Sequence, residues 1–571
     1  MGPGNKRRWF TIELALASAL VLGAWFVVLD HDDAPTAARL PAGERRVESV
    51  DPVTRACALD DDILIRLWRG HDPVRSEDVT MVPREPNFIG TFDLTSHSGP
   101  WDYLQRIPLV LYGPKHIVAS GTRVSRPVNI TDIYPTVGRL LGVSLPERDG
   151  RALTEALPAD DRPTPPRLVV VVVWDGAGRN TLGRWPAEWP TLQRLEREGT
   201  SYVNATVGSS PSVTSAIHSN LGTGTWPRTH GVTGNDIREH DGDLHIAFSS
   251  GAAADLRPTT FADEADAAYG NESKVGLLAW KPWHIGMLGH GAALAGADRD
   301  ELGLIKYHDG VEIFGNQSLY STPSFLSRDA PIDDHIDRLD RVDGQLDGRW
   351  LGHDISLDRE TNWTTYSNPA WAALETDLVL DMLDAGSYGR DEVPDFLFVN
   401  YKMTDLAGHQ WAVDSPETAD VLAAQDAALG RIVDYLERAI GDYVLVLTSD
   451  HGHTVAPATT GAWPINQEQL IADIDEHFHV PDDSSLAEAS AAFGLYLDRR
   501  VMKRVNTTPT EIAEFINGYT VRDNWSEDDL PSGYEDRGEE QVFSAAFAKT
   551  QMDAVMRCAF GDATPPDDAG A

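Results

Sequence analysis

The chain has 571 residues, of which 42% are hydrophobic and 24% charged, and its formal net charge is −40. This length and composition exclude a disordered chain and allow a large core. The charge excludes a nucleic-acid polymer as partner, because backbone phosphates are gripped by a basic face. Lysine occurs only at positions 6, 115, 274, 281, 306, 402, 503 and 549. An Asp-rich, Lys-poor surface suits salty surroundings, and a GC-rich genome that favours arginine gives the same bias.

In chain order, Lys6, Arg7 and Arg8 precede an apolar run from Trp9 to Leu29. Roughly 20 helical residues cross a bilayer core. Basic residues before the run keep the N-terminus cytoplasmic and place the rest of the chain outside. A cleaved signal peptide competes with this reading, since Ala17, Ser18 and Ala19 lie within the run. Signal apolar regions are normally shorter, about 7–15 residues. The expectation is therefore an uncleaved transmembrane helix within 1–29, a juxtamembrane linker over 30–56, and an extracytoplasmic remainder. In an oxidising space the two cysteines, Cys57 and Cys558, either pair or stand as unrelated buried thiols.

A breaker-rich segment, Leu157 to Pro166, separates a small leading block from the main body, 167–571. Short β-branched runs there alternate with amphipathic helical stretches. Strands are predicted over 167–174, 274–280, 394–401 and 443–449. A helix is predicted over 416–438, with Val421, Leu422, Leu429, Ile432 and Leu436 at helical spacing. Continuous apolar strands with helices between them predict an α/β fold with a mostly parallel central sheet covered on both faces. Such sheets bind ligands beyond the carboxyl ends of their strands.

Polar clusters stand at those ends. Asp175 follows the first run, and Asp450 with His451 follows the last. Asp405 and His409 follow the third, four residues apart, so that one helical turn puts both on one face. Each of these alone also reads as a helix cap or a surface group. Together, converging carboxylates repel each other and are costly to bury without cations. Mixed histidine and aspartate ligands suit zinc. The stretch Ser209 to Asn235 is rich in hydroxyls and opens a helix-like segment, whose first N–H groups suit an anion. A hydroxyl nucleophile needs activation, as by a metal. Chemistry alone does not select one hydroxyl here, and a capping run fits Ser209, Ser210 or Ser212 equally well.

The order of motifs goes further. VWDG around Asp175 is followed by the Thr214 segment with its P-x-x-HG-x-x-GN tail (Pro227, His230, Gly231, Gly234, Asn235), then D-x-x-x-H (Asp405, His409), then SDHG (Asp450, His451). This order resembles the alkaline phosphatase superfamily, and within it the branch of type I phosphodiesterases and nucleotide pyrophosphatases. The resemblance implies an alkaline phosphatase-like fold, Thr214 as nucleophile and Asn235 as donor to a non-bridging phosphate oxygen. It implies two Zn2+ ions, or other divalent metals in their place. One would be held by Asp175, Asp450, His451 and Thr214, the other by Asp405, His409 and one further histidine.

In the family that histidine follows the SDHG strand. Here the matching segment lies upstream, Thr95 to Pro114, and the next stretch, Val128 to Pro146, resembles the family's subsequent helix. His97 is thus the implied third ligand, and the chain resembles a circular permutant of the family. Residues 57–155 would be the family's C-terminal part moved to the front, so that 57–571 forms one catalytic domain. In the family's order Cys558 falls just before Cys57, which implies a Cys57–Cys558 disulfide.

Related phosphomonoesterases carry a K-x-R pair that grips the extra charge of a monoester dianion. Lys281 matches the lysine, and Trp283 stands where the arginine would be. This departure favours small-molecule phosphodiesters or nucleotide pyrophosphate bonds, with Lys281 and Asn235 stabilising the phosphate oxygens. The stretch 240–362 is expected to shape the substrate pocket. A phosphomonoesterase, a membrane-anchored phospho-headgroup transferase and a catalytically silent, metal-stabilised surface protein stay open as alternatives.

Overall fold

All four predicted strands form, each within a residue or so of expectation: Leu168–Trp174, Val275–Ala279, Asp395–Tyr401 and Tyr443–Thr448. The structure, a computed structural model, describes residues 50–561 apart from 92–94, 119–120, 160–163, 307–309, 313–316, 327–331 and 356–366. The apolar run 9–29 and most of the 30–56 linker lie outside the described residues. Among the described residues no helix is long and apolar enough to cross a membrane.

The four strands lie parallel to one another, with Leu168–Trp174 between Asp395–Tyr401 and Tyr443–Thr448. Asp300–Lys306 continues the parallel set beyond Val275–Ala279. On the opposite side Leu109–Tyr112 pairs antiparallel with Tyr443–Thr448, followed by Thr200–Tyr202 and Thr122–Val124. The resulting ten-stranded sheet is mixed, with only Leu109–Tyr112 and Gly310–Glu312 running against the rest. The stretch 240–362 is therefore only in part an excursion, since four of its strands, Val275–Ala279, Asp300–Lys306, Gly310–Glu312 and Tyr320–Ser321, belong to this sheet.

Helices cover both faces, which is why these strands are apolar throughout rather than alternating. Along Leu168–Trp174, Val169, Val171 and Val173 face one core with Tyr134, Ile217, Leu221 and Phe261. Leu168, Val170, Val172 and Trp174 face the other, with Trp371, Met382, Leu422 and Leu429. Each such side chain contributes about 1.5–3 kcal/mol on burial. The predicted helix forms over Pro416–Tyr435, started by Ser415, whose side chain accepts the Thr418 N–H. It ends in a wider turn over Leu436–Ile440, closed by left-handed Gly441.

A second, four-stranded antiparallel sheet was not foreseen from the sequence. It joins Ala487–Ala491, Gly494–Leu497, Val79–Pro83 and Phe543–Ala548 around its own core, which includes Met81, Trp463, Leu470, Ile512 and Ile516. Its edge strand, AEASA, carries small and polar residues and no apolar run, so periodicity gives no signal there. Val79–Pro83, from the front of the chain, sits between strands from its rear. Nearby, Cys57 and Cys558 form a disulfide with their Cα atoms 5.7 Å apart. Arg55 secures the same junction by donating to the carbonyls of Asn517 and Phe543.

Glu77 leads into the Val79–Pro83 strand, fully buried beside Thr80, whose hydroxyl donates to its carboxylate at 3.3 Å. Burial raises its carboxyl from 4.5 to about 7. The folded state disfavours ionisation, so this group costs nothing below pH 4.5. Its cost builds as the pH rises from 4.5 to about 7 and levels off above that, at about 3 kcal/mol. Glu77→Gln is therefore expected to melt above the parent at pH 8, with the gap closing at pH 5. Thermal denaturation at both pH values checks this, and an equal gap at each would contradict it.

Candidate active site

Three carboxylates, Asp175, Asp405 and Asp450, are fully buried where the parallel strands end. Asp175 extends its strand by one step, its N–H donating to the Tyr401 carbonyl at 3.0 Å. The chain then turns at Gly176, with φ +74°, and its N–H donates to Asp450 Oδ1 at 3.1 Å. A Cβ at position 176 would lie 2.8 Å from the Asp405 Cα. Glycine therefore serves both the left-handed turn and the close approach of the helix Met403–Trp411.

Lys402 ties this cluster together. Its Nζ donates to Asp175 Oδ1 at 2.7 Å and to Thr214 Oγ1 at 3.1 Å, and lies 2.8 Å from Asp405 Oδ2. Burial opposes ionisation of Asp175 and Asp405, but the Lys402 ammonium outweighs it and holds both below the usual carboxylate range. Asp450 goes the other way, raised by burial and by the charge of Asp175. Burial alone would lower Lys402, yet the three carboxylates raise it above an ordinary lysine. One ammonium against three carboxylates leaves the cluster short of positive charge.

The histidines are prepared to receive that charge as metal. The Nδ1 of His97 meets the Ser212 carbonyl at 2.9 Å, that of His409 the Thr95 carbonyl at 2.7 Å, and that of His451 the Gly452 carbonyl at 2.9 Å. A carbonyl only accepts, so the proton sits on Nδ1 in each and the Nε2 lone pair is free. All three Nε2 atoms point at carboxylates. Those of His97 and His409 lie 3.4 Å from Asp405 Oδ1, and that of His451 lies 3.3 Å from Asp450 Oδ2. Asp405 Oδ1, Asp450 Oδ2 and His451 Nε2 are buried with no hydrogen-bond partner. Buried polar atoms left unpaired are costly, and a divalent cation satisfies all of them at once. The donor set therefore fits bound metal. Asp175, Asp450 and His451 form one group with ligand atoms within 4.8 Å of one another; His97 and His409 share Asp405 but fall in two separate groups, His97 with Asp405 and His451, and His409 with Asp405 and His453.

Thr214 opens the buried helix Thr214–Thr223, behind an extended Val213. No side chain caps this helix, so the alternative of a capping hydroxyl at Ser209, Ser210 or Ser212 does not hold. Ser212 instead donates to the carbonyls of His97 and Gly99 at 2.7 and 3.2 Å. Together with the bond from His97 to the Ser212 carbonyl, this pins the upstream histidine beside Thr214. Ser215 donates to Asn235 Oδ1 at 2.9 Å, which fixes the amide and leaves its N–H2 as the outward group. Lys281 stands close enough to feel Lys402, Asp405 and Asp175, and burial with the Lys402 charge lowers its ammonium to about 8. The Trp283 side chain lies outside the described residues.

Sequence reasoning gave no role to Lys402, His284, Asn400 and His453, nor to His218, although His218 matches the histidine of the family's T-x-x-x-H pattern after Thr214. Lys402 carried a signal, as one of only eight lysines, three residues before Asp405 at a strand end. His218 differs from the three prepared histidines. Its Nδ1 bonds the Thr214 carbonyl at 2.8 Å, and its Nε2 accepts from Asn400 at 2.9 Å, so both nitrogens are spent. The Nδ1 of His284 accepts the Lys281 N–H at 3.3 Å, which leaves the proton on Nε2, 3.5 Å from Asp175. His453 groups with Asp405 and His409, its ring 4.7 Å from that of His409.

With this geometry in hand, the chain can be compared with known proteins. Residues 169–540, more than half of the chain, match the family model for type I phosphodiesterase / nucleotide pyrophosphatase. Alkaline phosphatase PafA of Elizabethkingia meningoseptica is 21% identical over 406 residues, 62% of this chain and 72% of that protein. Alkaline phosphatase PhoV of Synechococcus elongatus is 25% identical over 343 residues, 51% of this chain and 60% of that protein. A crystal structure of a substituted alkaline phosphatase PafA shares the fold, with a TM-score of 0.51 over 67% of this chain and 85% of that one, at 18% identity. The chain thus belongs to the type I phosphodiesterase / nucleotide pyrophosphatase family, within the alkaline phosphatase superfamily, and is a phosphoesterase of that superfamily.

Proposed function

We propose that the protein hydrolyses phosphodiester or nucleotide pyrophosphate bonds of small molecules, with Thr214 as nucleophile and through a phospho-threonine intermediate. The observation that carries this reading is the position of Thr214. Its hydroxyl lies at a helix N-terminus, bonded by Lys402, beside buried carboxylates and unspent histidine lone pairs. Asp175, Asp450, His451 and Thr214 would hold one divalent ion, taken to be Zn2+, and Asp405, His409 and His97 the other. When bound, such ions supply Lewis-acid stabilisation of the attacking and leaving oxygens.

The protein's own groups do the rest. The Thr214 oxygen attacks phosphorus in line with the departing alcohol or phosphate, forming one P–O bond as the other breaks. Lys402, donating to that oxygen, favours its anionic form. The first N–H groups of the Thr214–Thr223 helix and the Asn235 amide meet the equatorial oxygens as charge builds there. Water then displaces the threonine oxygen from phosphorus and frees the hydroxyl. Lys281 adds one cation, and with Trp283 in place of a second, the charge available suits a diester monoanion over a monoester dianion. The relatives named as alkaline phosphatases favour the second reading, a phosphomonoesterase.

The upstream origin of His97 and the family match beginning only at residue 169 support a circular permutation, with 57–155 completing one catalytic domain. The apolar run Trp9 to Leu29 supports a membrane anchor with this domain outside the cytoplasm.

Thr214→Ala in the full chain is expected to lower hydrolysis of bis-p-nitrophenyl phosphate by at least about a thousandfold. The parent is expected to prefer this diester to p-nitrophenyl phosphate. Preference for the monoester would move the protein to the phosphatases, and Thr214-independent turnover would remove the proposed nucleophile. His97→Ala is expected to lose bound zinc, read by elemental analysis after dialysis. Undiminished zinc would mean that His97 is no ligand.

A further inference from the structure

Lys402 does more than neutralise charge, because it contacts the two expected metal positions unequally. At the first position it occupies two of the four expected ligands, bonding Asp175 Oδ1 at 2.7 Å and Thr214 Oγ1 at 3.1 Å. Asn400 further engages Asp175 through its other oxygen, at 3.3 Å. Only Asp450 Oδ2 and His451 Nε2 remain free there. At the second position Lys402 takes one oxygen of Asp405, Oδ2, on the side away from the histidines. Asp405 Oδ1 stays open, with His97 Nε2 and His409 Nε2 each 3.4 Å from it. His453 stands alongside as a further nitrogen donor.

We propose that Lys402 is a built-in counter-ion that makes the two metal positions unequal: the Asp405–His97–His409 position fills first and tightly, and the Asp175–Asp450–His451–Thr214 position fills only against the Lys402 charge. The inference rests on the two-metal reading above and concerns what this chain adds to it. A buried ammonium within hydrogen-bonding distance of a ligand carboxylate repels a divalent ion strongly at the low effective dielectric of a buried site. It also competes for the oxygens that the ion must bind. In return it keeps the carboxylates assembled before any metal arrives, since an unpaired buried charge is strongly destabilising. Lys402 is thus a positioning residue for Thr214 and a brake on one metal position. The nucleophile's hydroxyl stays oriented whether or not that position is filled.

The test is a zinc titration of the chelator-stripped full chain by calorimetry, with Lys402→Met and Lys402→Arg alongside. The parent is expected to take up zinc in two steps separated by at least about tenfold in affinity. Lys402→Met is expected to tighten the second step by at least about tenfold, and to melt several degrees lower than the parent when stripped, with zinc restoring it. Lys402→Arg, which keeps the charge, is expected to keep the weak second step. Two equal steps in the parent, or an unchanged second step in Lys402→Met, overturn the proposal even where Thr214-dependent hydrolysis stands. Should stripped Lys402→Met fail to fold, the step separation in the parent decides alone. Absence of zinc uptake in every form would overturn the two-metal reading itself.

Discussion

Three aspartates buried side by side at the end of a parallel sheet are the constraint on which the rest of this structure depends. In water they would repel weakly. In a closed pocket each adds a desolvation cost and a repulsion that must be met from nearby. Lys402 meets part of it, and its raised proton affinity measures how strongly the carboxylates hold it. The remainder suits the site to receive cations, because His97, His409 and His451 have each spent the Nδ1 proton on a carbonyl and kept the Nε2 lone pair.

The fold delivers these groups by two means. Parallel strands all end on one edge, so Asp175, the Asp405 helix and Asp450 arrive together by topology. His97 arrives otherwise, from a segment whose next strand runs antiparallel to Tyr443–Thr448. No strand end aims it, so hydrogen bonds do. Ser212 and His97 exchange two, ring to carbonyl and hydroxyl to carbonyl. Thr95 repeats the arrangement on the other side, donating its N–H to the His409 carbonyl while its own carbonyl takes the His409 ring proton. Residues 95–97 thus bridge the segment before Thr214 and the helix Met403–Trp411.

The same economy of charge bears on the substrate. In a chain of net charge −40, Lys402 beside Thr214 is already committed to carboxylates. Lys281 carries a lowered ammonium, so its charge is the weakest held in the site. A site built in this way gains its positive potential chiefly from what it binds. Metal content and substrate charge therefore belong to one electrostatic account.

Much of this was legible in the amino-acid order. The apolar runs announced the buried parallel strands, because a strand covered on both faces has no polar side to show. Asp175, Asp405, His409, Asp450 and His451 were readable because they come directly after those runs, where such sheets bind ligands. The upstream motif around His97, and the adjacency of Cys558 and Cys57 in the family's order, also pointed to their places, through family resemblance rather than through periodicity. The small second sheet was not readable, since its polar edge strand lacks an apolar pattern and its strands come from opposite ends of the chain. Nor was the role of Lys402, whose local sequence places it near Asp405 and says nothing of Asp175 or Thr214. Those lie 227 and 188 positions away along the chain. The sequence by itself determined that acidic and histidine side chains follow the apolar strands. Only the tertiary structure decided which oxygens and nitrogens are spent and which stay free, because hydrogen bonds between distant segments assign each proton.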